Sequence, residues 1–266
     1  MARVRVNGVD LEYMEEGAGV PVVFSHGGSS DVRYWEPQRP AFAAHYRFVA
    51  YSQRFHGAGP WSAEGDYSAS AHAADLVAIM RRLGAGPVHL VGFSRTTALH
   101  AALLEPGLVR SLTILEPNVP WLLEGDPEGE VLLAWWRGEN ERVRNEAGDD
   151  PARAAALWFE LVNNRGPGAF AAQPEALRRM WLDNFGTRRP AAPPEPLQCG
   201  QLGAIAAPTL ALATEYGMPY SRRIVEVLAG CIPGSRLAVI PSATHFVSYQ
   251  APAAFNETVL EFLASH

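Results

Sequence analysis

Val88-His-Leu-Val-Gly-Phe-Ser-Arg-Thr-Thr97 is the stretch on which the fold turns. Its first half, Val88 to Gly92, is a short apolar run of the kind that forms a strand buried on both faces. It runs into Ala98 to Glu105, which reads as a helix. Ser94 stands at the junction, in Gly92-Phe-Ser-Arg-Thr96, where a strand must turn sharply into a helix. Such a turn lifts the hydroxyl above the sheet edge, and the helix N-terminus adds N–H groups and a positive dipole beneath it. A lone Gly-x-Ser is a common triplet, and Ser94 could simply cap the helix. The fifth position of the G-x-S-x-G pattern here is Thr96.

The same alternation extends in both directions. Arg3–Val6 and Leu11–Tyr13 flank Asn7-Gly8 as an opening β-hairpin. The spacing then predicts a strand over Pro21–Ser25 ended by His26-Gly-Gly28, a helix from about Trp35 to His45, and a strand over Arg47–Ser52. A Gly/Pro-rich loop over Phe55–Asp66, a helix from about Ser70 to Leu83 and a strand over Arg110–Leu115 follow. After Glu116-Pro117 the alternation stops. Helical patterns around Leu132–Glu146, Ala152–Asn163 and Glu175–Asn184 lead to a Pro-rich stretch, Pro190–Pro196. Strand and helix then resume with Pro208–Thr214, Tyr220–Cys231, Arg236–Pro241 and Ala253–Ala264. Repeated strand–helix units imply a mostly parallel sheet flanked by helices. The organisation expected is a core of residues 1–116 and 201–266 with residues 117–200 inserted as a helical lid.

Composition removes several classes of chemistry. All 22 basic residues are Arg and none is Lys. Schiff-base and pyridoxal-phosphate enzymes, Ser–Lys dyads and Walker-A nucleotide sites all need an amine that Arg cannot replace. A net charge of -6 argues against nucleic acid or an anionic membrane as partner. Cys199 and Cys231 are too few for a disulfide framework, and no Cys/His cluster suggests a metal site. The start of the chain has no apolar leader pattern, so a cytoplasmic protein is expected.

His245, in Ile240-Pro-Ser-Ala-Thr-His-Phe246, lies just past the last expected strand and before the last helix, at the sheet edge that should carry Ser94. A loop histidine is also an ordinary surface residue. His45, His72 and His100 read as helical, His89 lies within a strand, and His266 is terminal. Arg54 and His56 read as residues that fix loops. Residues 117–200 hold Trp121, Trp135, Trp136, Trp158 and Trp181, five of the seven tryptophans. A lid over a site needs an apolar inner wall, so some of these should face a ligand.

Taken together, Phe24-Ser-His-Gly-Gly28 with Trp35, Val49–Gly57, Val91-Gly-Phe-Ser94, and Ile240–His245 followed by Pro252–Asn256 make the chain resemble the α/β-hydrolase superfamily in its lidded branch. The resemblance runs over essentially the whole length and is more specific for fold than for substrate. It implies that Ser94 is the nucleophile and His245 the general base. It also implies an oxyanion hole built from the backbone N–H groups of Gly28 and Arg95, with no cofactor and no metal. The usual place for the third residue, an Asp shortly after the strand Pro208–Thr214, is here Gly217. Two carboxylates remain, Glu116 at the end of the strand after Ser94 and Glu215 near the usual place, and Glu116 is set ahead because its strand end reaches the same sheet edge. Trp121, Trp136, Trp158 and Trp181 are the expected pocket wall. The Arg95 side chain either binds a substrate carboxylate or is a solvated first-turn residue.

The activity so implied is a serine hydrolase acting on a small, moderately hydrophobic carboxylic ester or lactone through an acyl-enzyme. The alternatives are C–C bond cleavage, amide hydrolysis or perhydrolysis by the same residues, and a weakly catalytic ligand receptor on the same scaffold. An epoxide hydrolase or haloalkane dehalogenase is disfavoured, since each needs a carboxylate where Ser94 stands.

Overall fold

The computed structural model describes residues 1–57, 59, 61, 64–185, 192 and 195–266. The loop expected over Phe55–Asp66 and the stretch expected over Pro190–Pro196 therefore lie partly outside the described residues. Among those described, eight strands form one sheet: β1 (Ala2–Val6), β2 (Val9–Glu16), β3 (Pro21–Ser25), β4 (Arg47–Tyr51), β5 (Val88–Phe93), β6 (Val109–Leu115), β7 (Thr209–Thr214) and β8 (Arg236–Ile240). Their order is β1-β2-β4-β3-β5-β6-β7-β8. The β1–β2 and β2–β4 pairings are antiparallel and the rest are parallel.

Burial follows position in the sheet. β3, β5 and β7 are buried at every residue, as expected of strands covered on both faces, whereas β1 at the edge is exposed at three of its five positions. His89 is the polar exception inside β5. Its Nδ1 lies 2.7 Å from Ser111 Oγ on β6, and burial pushes its pKa down to about 4, so the ring is neutral in the core.

The helices are α1 (Arg39–Ala43), α2 (Ala69–Leu83), α3 (Thr97–Leu104), α4 (Pro127–Ala147), α5 (Pro151–Val162), α6 (Glu175–Phe185), α7 (Cys199–Leu202), α8 (Pro219–Cys231), α9 (Val247–Gln250) and α10 (Pro252–Ala264). The helix expected from Trp35 to His45 is instead a 3-10 turn over Val32–Trp35 followed by the short α1. Pro37 and Pro40 lack the N–H that a continuous helix would use, and Pro40 sits in the first turn of α1, where that loss costs little. α4, α5 and α6 fall between β6 and β7, each of the first two opened by an Asp cap and a Pro: Asp126-Pro127 and Asp150-Pro151.

Two features tie this helical segment to the sheet. Asn184 of α6 donates from Nδ2 to the buried Asp31 Oδ2 at 2.7 Å and accepts from Gly57 N at 2.8 Å. Arg33 bridges Asp31 at 2.6 Å and Asp183 at 2.8 Å. The two cysteines, too few for a framework, are bonded to one another. The Cys199–Cys231 disulfide joins the start of α7 to the end of α8 across 32 residues of sequence. Such bonds persist mainly in oxidising compartments, which weighs against the cytoplasmic expectation. No helix among the described residues is long and apolar enough to cross a membrane.

Candidate active site

The parallel strands deliver their following residues to one edge: His26 after β3, Gln53 after β4, Ser94 after β5, Glu116 after β6, Gly217 after β7 and His245 after β8. Ligands of open α/β sheets bind outside these carboxyl ends. Phe93 of β5 and Leu115 of β6 are paired in register, so Ser94 and Glu116 are the next residues of adjacent strands.

Ser94 has φ +60°, a left-handed conformation that costs a non-glycine residue on the order of 1–2 kcal/mol. Several contacts hold it there. Ser94 N–H donates to Leu115 O at 2.9 Å, and Asn118 N–H donates to Ser94 O at 2.6 Å. Strand and helix approach closely behind the turn, since a Cβ on Gly92 would stand 2.5 Å from Ala98 Cβ. The N-cap position of helix α3 is Thr96, which makes no side-chain capping bond, and Ser94, earlier in the same turn, borders the cavity. Thr96 has φ -81°, an ordinary value, so the absence of Gly at this place strains nothing.

His245 Nδ1 lies 2.8 Å from Glu116 Oε2, and the Glu116 carboxylate is fully buried. The other oxygen, Oε1, accepts from Thr214 N at 3.0 Å and from the Thr214 hydroxyl. Glu116 thus reaches from β6 past the end of β7 to the loop after β8. A carboxylate accepts only, so Nδ1 carries the proton and Nε2 is left with a lone pair. Glu215 is exposed and its Oε2 accepts from Ser242 N at 2.7 Å, bracing the turn after β8, whereas the bond to His245 Nδ1 comes from Glu116.

The loop after β3 is held by buried polar side chains. Gln53 N–H donates to His26 Nε2 at 2.8 Å, so the His26 proton is on Nδ1, which donates to Gly27 O at 2.7 Å. His56 ring nitrogens lie 2.9 Å from Arg54 O and 3.0 Å from Gly28 O, and Arg54 pairs with the buried Asp75 at 2.7 Å. Arg54 and His56 are therefore loop-fixing residues. The Arg95 N–H donates to Phe93 O at 2.6 Å across the turn.

These groups line a cavity of about 520 Å³. Gly28, Ser94, Arg95, Glu116 and His245 all border it, as do Trp121, Trp136, Trp158 and Trp181. Trp135 does not, and lies exposed on α4. Trp136 stacks on Tyr220 at 4.7 Å between ring centres, and Phe93 packs on the His245 ring at 4.8 Å. Among the described residues no group of three or more His, Cys, Asp or Glu could hold a metal ion.

Several wall residues carry no local sequence signal. Tyr67 and Glu195 border the cavity from loops, and Asn163 acts from outside it. Asn163 is fully buried; its Oδ1 accepts from Phe246 N at 3.0 Å and lies 2.9 Å from Thr244 Oγ1, gripping both neighbours of His245. An Asn at the end of a helix is common, and only the folded chain brings it to residues 81 and 83 positions away.

This chain is similar to a candidate carbamate hydrolase, RutD, of Variovorax paradoxus (strain S110), at 27% identity over 92% of both chains. It is similar to the structure of Est816, described as an N-acyl homoserine lactone degrading enzyme, at 26% identity and a TM-score of 0.65, over 98% of this chain and 100% of that one. The carboxylesterase CesB (YbfK) of Bacillus subtilis, at 17% identity and a TM-score of 0.78 over 100% and 91%, shares the fold. A family model described as alpha/beta hydrolase fold matches residues 20–252, from the strand that leads into the His26 loop to the helix after His245. A match of that extent, on a sheet of this order, makes the chain a member of the alpha/beta hydrolase fold family.

Proposed function

We propose that this protein is a serine hydrolase that cleaves a moderately hydrophobic carboxylic ester or lactone through an acyl-enzyme. The observation that carries the reading is the 2.8 Å contact of Glu116 with His245 Nδ1, at the cavity where Ser94 stands in its left-handed turn. In this reading Nε2 takes the Ser94 proton as Oγ attacks the carbonyl carbon. The protonated ring then gives that proton to the departing alkoxide. A water, deprotonated by the same nitrogen, attacks the acyl-serine, releases the acid and restores Ser94. Such proton transfers are worth ~10²–10⁴ in rate. With a lactone the departing alkoxide stays attached, and one hydroxy acid leaves.

The oxyanion would be held by the backbone N–H groups of Gly28 and Arg95, each worth ~10²–10³ in kcat. In the free protein the Arg95 N–H donates to Phe93 O, so it must exchange that carbonyl for the oxyanion when substrate binds. Residues 117–200 act as the lid, whose indoles exclude water and receive the apolar part of the substrate. Amide or carbamate cleavage by the same residues is the second reading, favoured by the likeness to the candidate carbamate hydrolase.

A fluorophosphonate should label Ser94 covalently, and Ser94→Ala should abolish both labelling and turnover of p-nitrophenyl esters. An unlabelled protein with unchanged turnover would refute the reading. A panel of matched esters, lactones and carbamates separates the two bonds.

A further inference from the structure

We propose that the Arg95 side chain makes the cavity selective for substrates that carry a second, free carboxylate, so that the preferred ester or lactone is anionic. This inference rests on the hydrolase reading above for the reaction, though not for binding. It starts from the balance of charge in the cavity. Three ionic side chains of the described residues border it: Glu116, Glu195 and Arg95.

Each carboxylate has its partners. Glu116 is taken by Thr214 and His245. Glu195 accepts from Ser70 N at 3.1 Å and from the Ser70 hydroxyl, at the start of α2. Arg95 is different. Its Nη1 donates to the Tyr67 hydroxyl at 2.5 Å, and its guanidinium carbon stands 4.9 Å from the Tyr67 ring centre. Both contacts are with a neutral side chain. Among the described residues no carboxylate forms an ion pair with Arg95, and it is the only arginine on the cavity wall.

Tyr67 therefore fixes the guanidinium without neutralising it. A planar fork held by one edge and one face keeps further N–H groups for a ligand, and bidentate recognition of a carboxylate is what that geometry suits best. Much of the remaining lining is apolar, including Trp136, Trp158 and Phe246. A substrate matching this lining and Arg95 has an apolar body and a carboxylate near the scissile carbonyl, because Arg95 directly follows Ser94.

The test compares two esters of equal chain length, mono-p-nitrophenyl adipate and p-nitrophenyl hexanoate, with spontaneous hydrolysis subtracted. Wild type should favour the adipate in kcat/KM by ~10–100-fold, the value of a charge-assisted contact. Arg95→Gln should bring the ratio near one, Arg95→Lys should keep part of it, and Tyr67→Phe should lower it less. Any damage to the Arg95 backbone affects both esters and cancels in the ratio. A wild-type ratio near one, or a ratio unchanged in Arg95→Gln, overturns the proposal while leaving the hydrolase reading standing.

Binding supplies a readout that needs no turnover. 4-Phenylbutyrate should bind wild type at least ~10-fold more tightly than 4-phenylbutyramide in titration calorimetry, and Arg95→Gln should remove the difference. If neither ester is cleaved but this difference holds, the hydrolase reading fails and the anion subsite stands. Equal binding of acid and amide by wild type overturns the subsite.

Discussion

A Cβ built on Gly217 would stand 2.6 Å from Glu116 Oε1 and 2.5 Å from Thr214 Oγ1. The place after β7 where an acid is usual is therefore filled by a carboxylate arriving from β6, and a residue with a side chain at 217 would collide with it. Gly217→Ala should cost about 1–3 kcal/mol through this overpacking and lower kcat with it. The pair should also be coupled: Glu116→Ala combined with Gly217→Asp should be more active than Glu116→Ala alone. Additive losses in a double-mutant cycle would refute the coupling.

Glu116→Gln keeps the shape but removes the charge that fixes the His245 tautomer. Its kcat should fall by ~10³–10⁴ with the fold intact by circular dichroism, the scale seen when a triad acid becomes its amide. Glu215→Gln should stay within about threefold of wild type on the same ester, since surface changes away from the site are small. A reversal of the two would move the acid to Glu215.

Asn163→Ala leaves Phe246 N without its buried acceptor, while Thr244 Oγ1 keeps Gln250 Oε1 at 2.6 Å. One unsatisfied buried group costs about 1–3 kcal/mol. A role in positioning His245 adds a kinetic signature: kcat should fall and fluorophosphonate labelling of Ser94 should slow, with KM little changed. Loss of melting temperature alone, with labelling rate retained, would leave Asn163 a purely structural residue.

These three residues mark how far the chain could be read without its structure. Ser94, Glu116 and His245 are legible because each follows an apolar run whose end is signalled locally by Gly, Pro or a change of pattern. Asn163, Tyr67 and Glu195 are not, because their partners lie 81, 28 and 125 residues away and only the folded chain brings them close. The cysteines illustrate the same limit. Their separation of 32 residues says nothing of the 4.9 Å between their Cα atoms. The break between Val32–Trp35 and α1 was written in Pro37 and Pro40, but the apolar spacing around them mimics one helix.

Replacing both Cys199 and Cys231 with Ser should cost about 2–4 kcal/mol, through the entropy regained by the opened loop. The same loss should appear when wild type is melted with a strong reductant, and the double variant should be insensitive to it. Equal melting of wild type with and without reductant would refute a stabilising bond.

Asp31 supplies a pH dependence. Burial pushes its carboxyl up, but the hydrogen bonds and charge of Arg33, with a bond from Asn184, hold it below the usual carboxylate range. A depressed folded pKa gives stability that is fully present above about pH 4 and lost as pH falls through the lowered value. Asp31→Asn should therefore cost about 1–3 kcal/mol at pH 7 and flatten the acid limb of the stability curve. An unaltered limb would assign the acid loss to other carboxylates.

The tryptophans have an optical consequence. Trp121, Trp136, Trp158 and Trp181 border the cavity, while Trp35 is sealed in the core against Phe24 and Phe255. Four of the seven tryptophans thus sit where a ligand would arrive and water would leave. Occupancy should announce itself in the emission of the unlabelled protein, over a background from the tryptophans outside the cavity, Trp35 and Trp135 among them, so the molecule carries its own binding gauge.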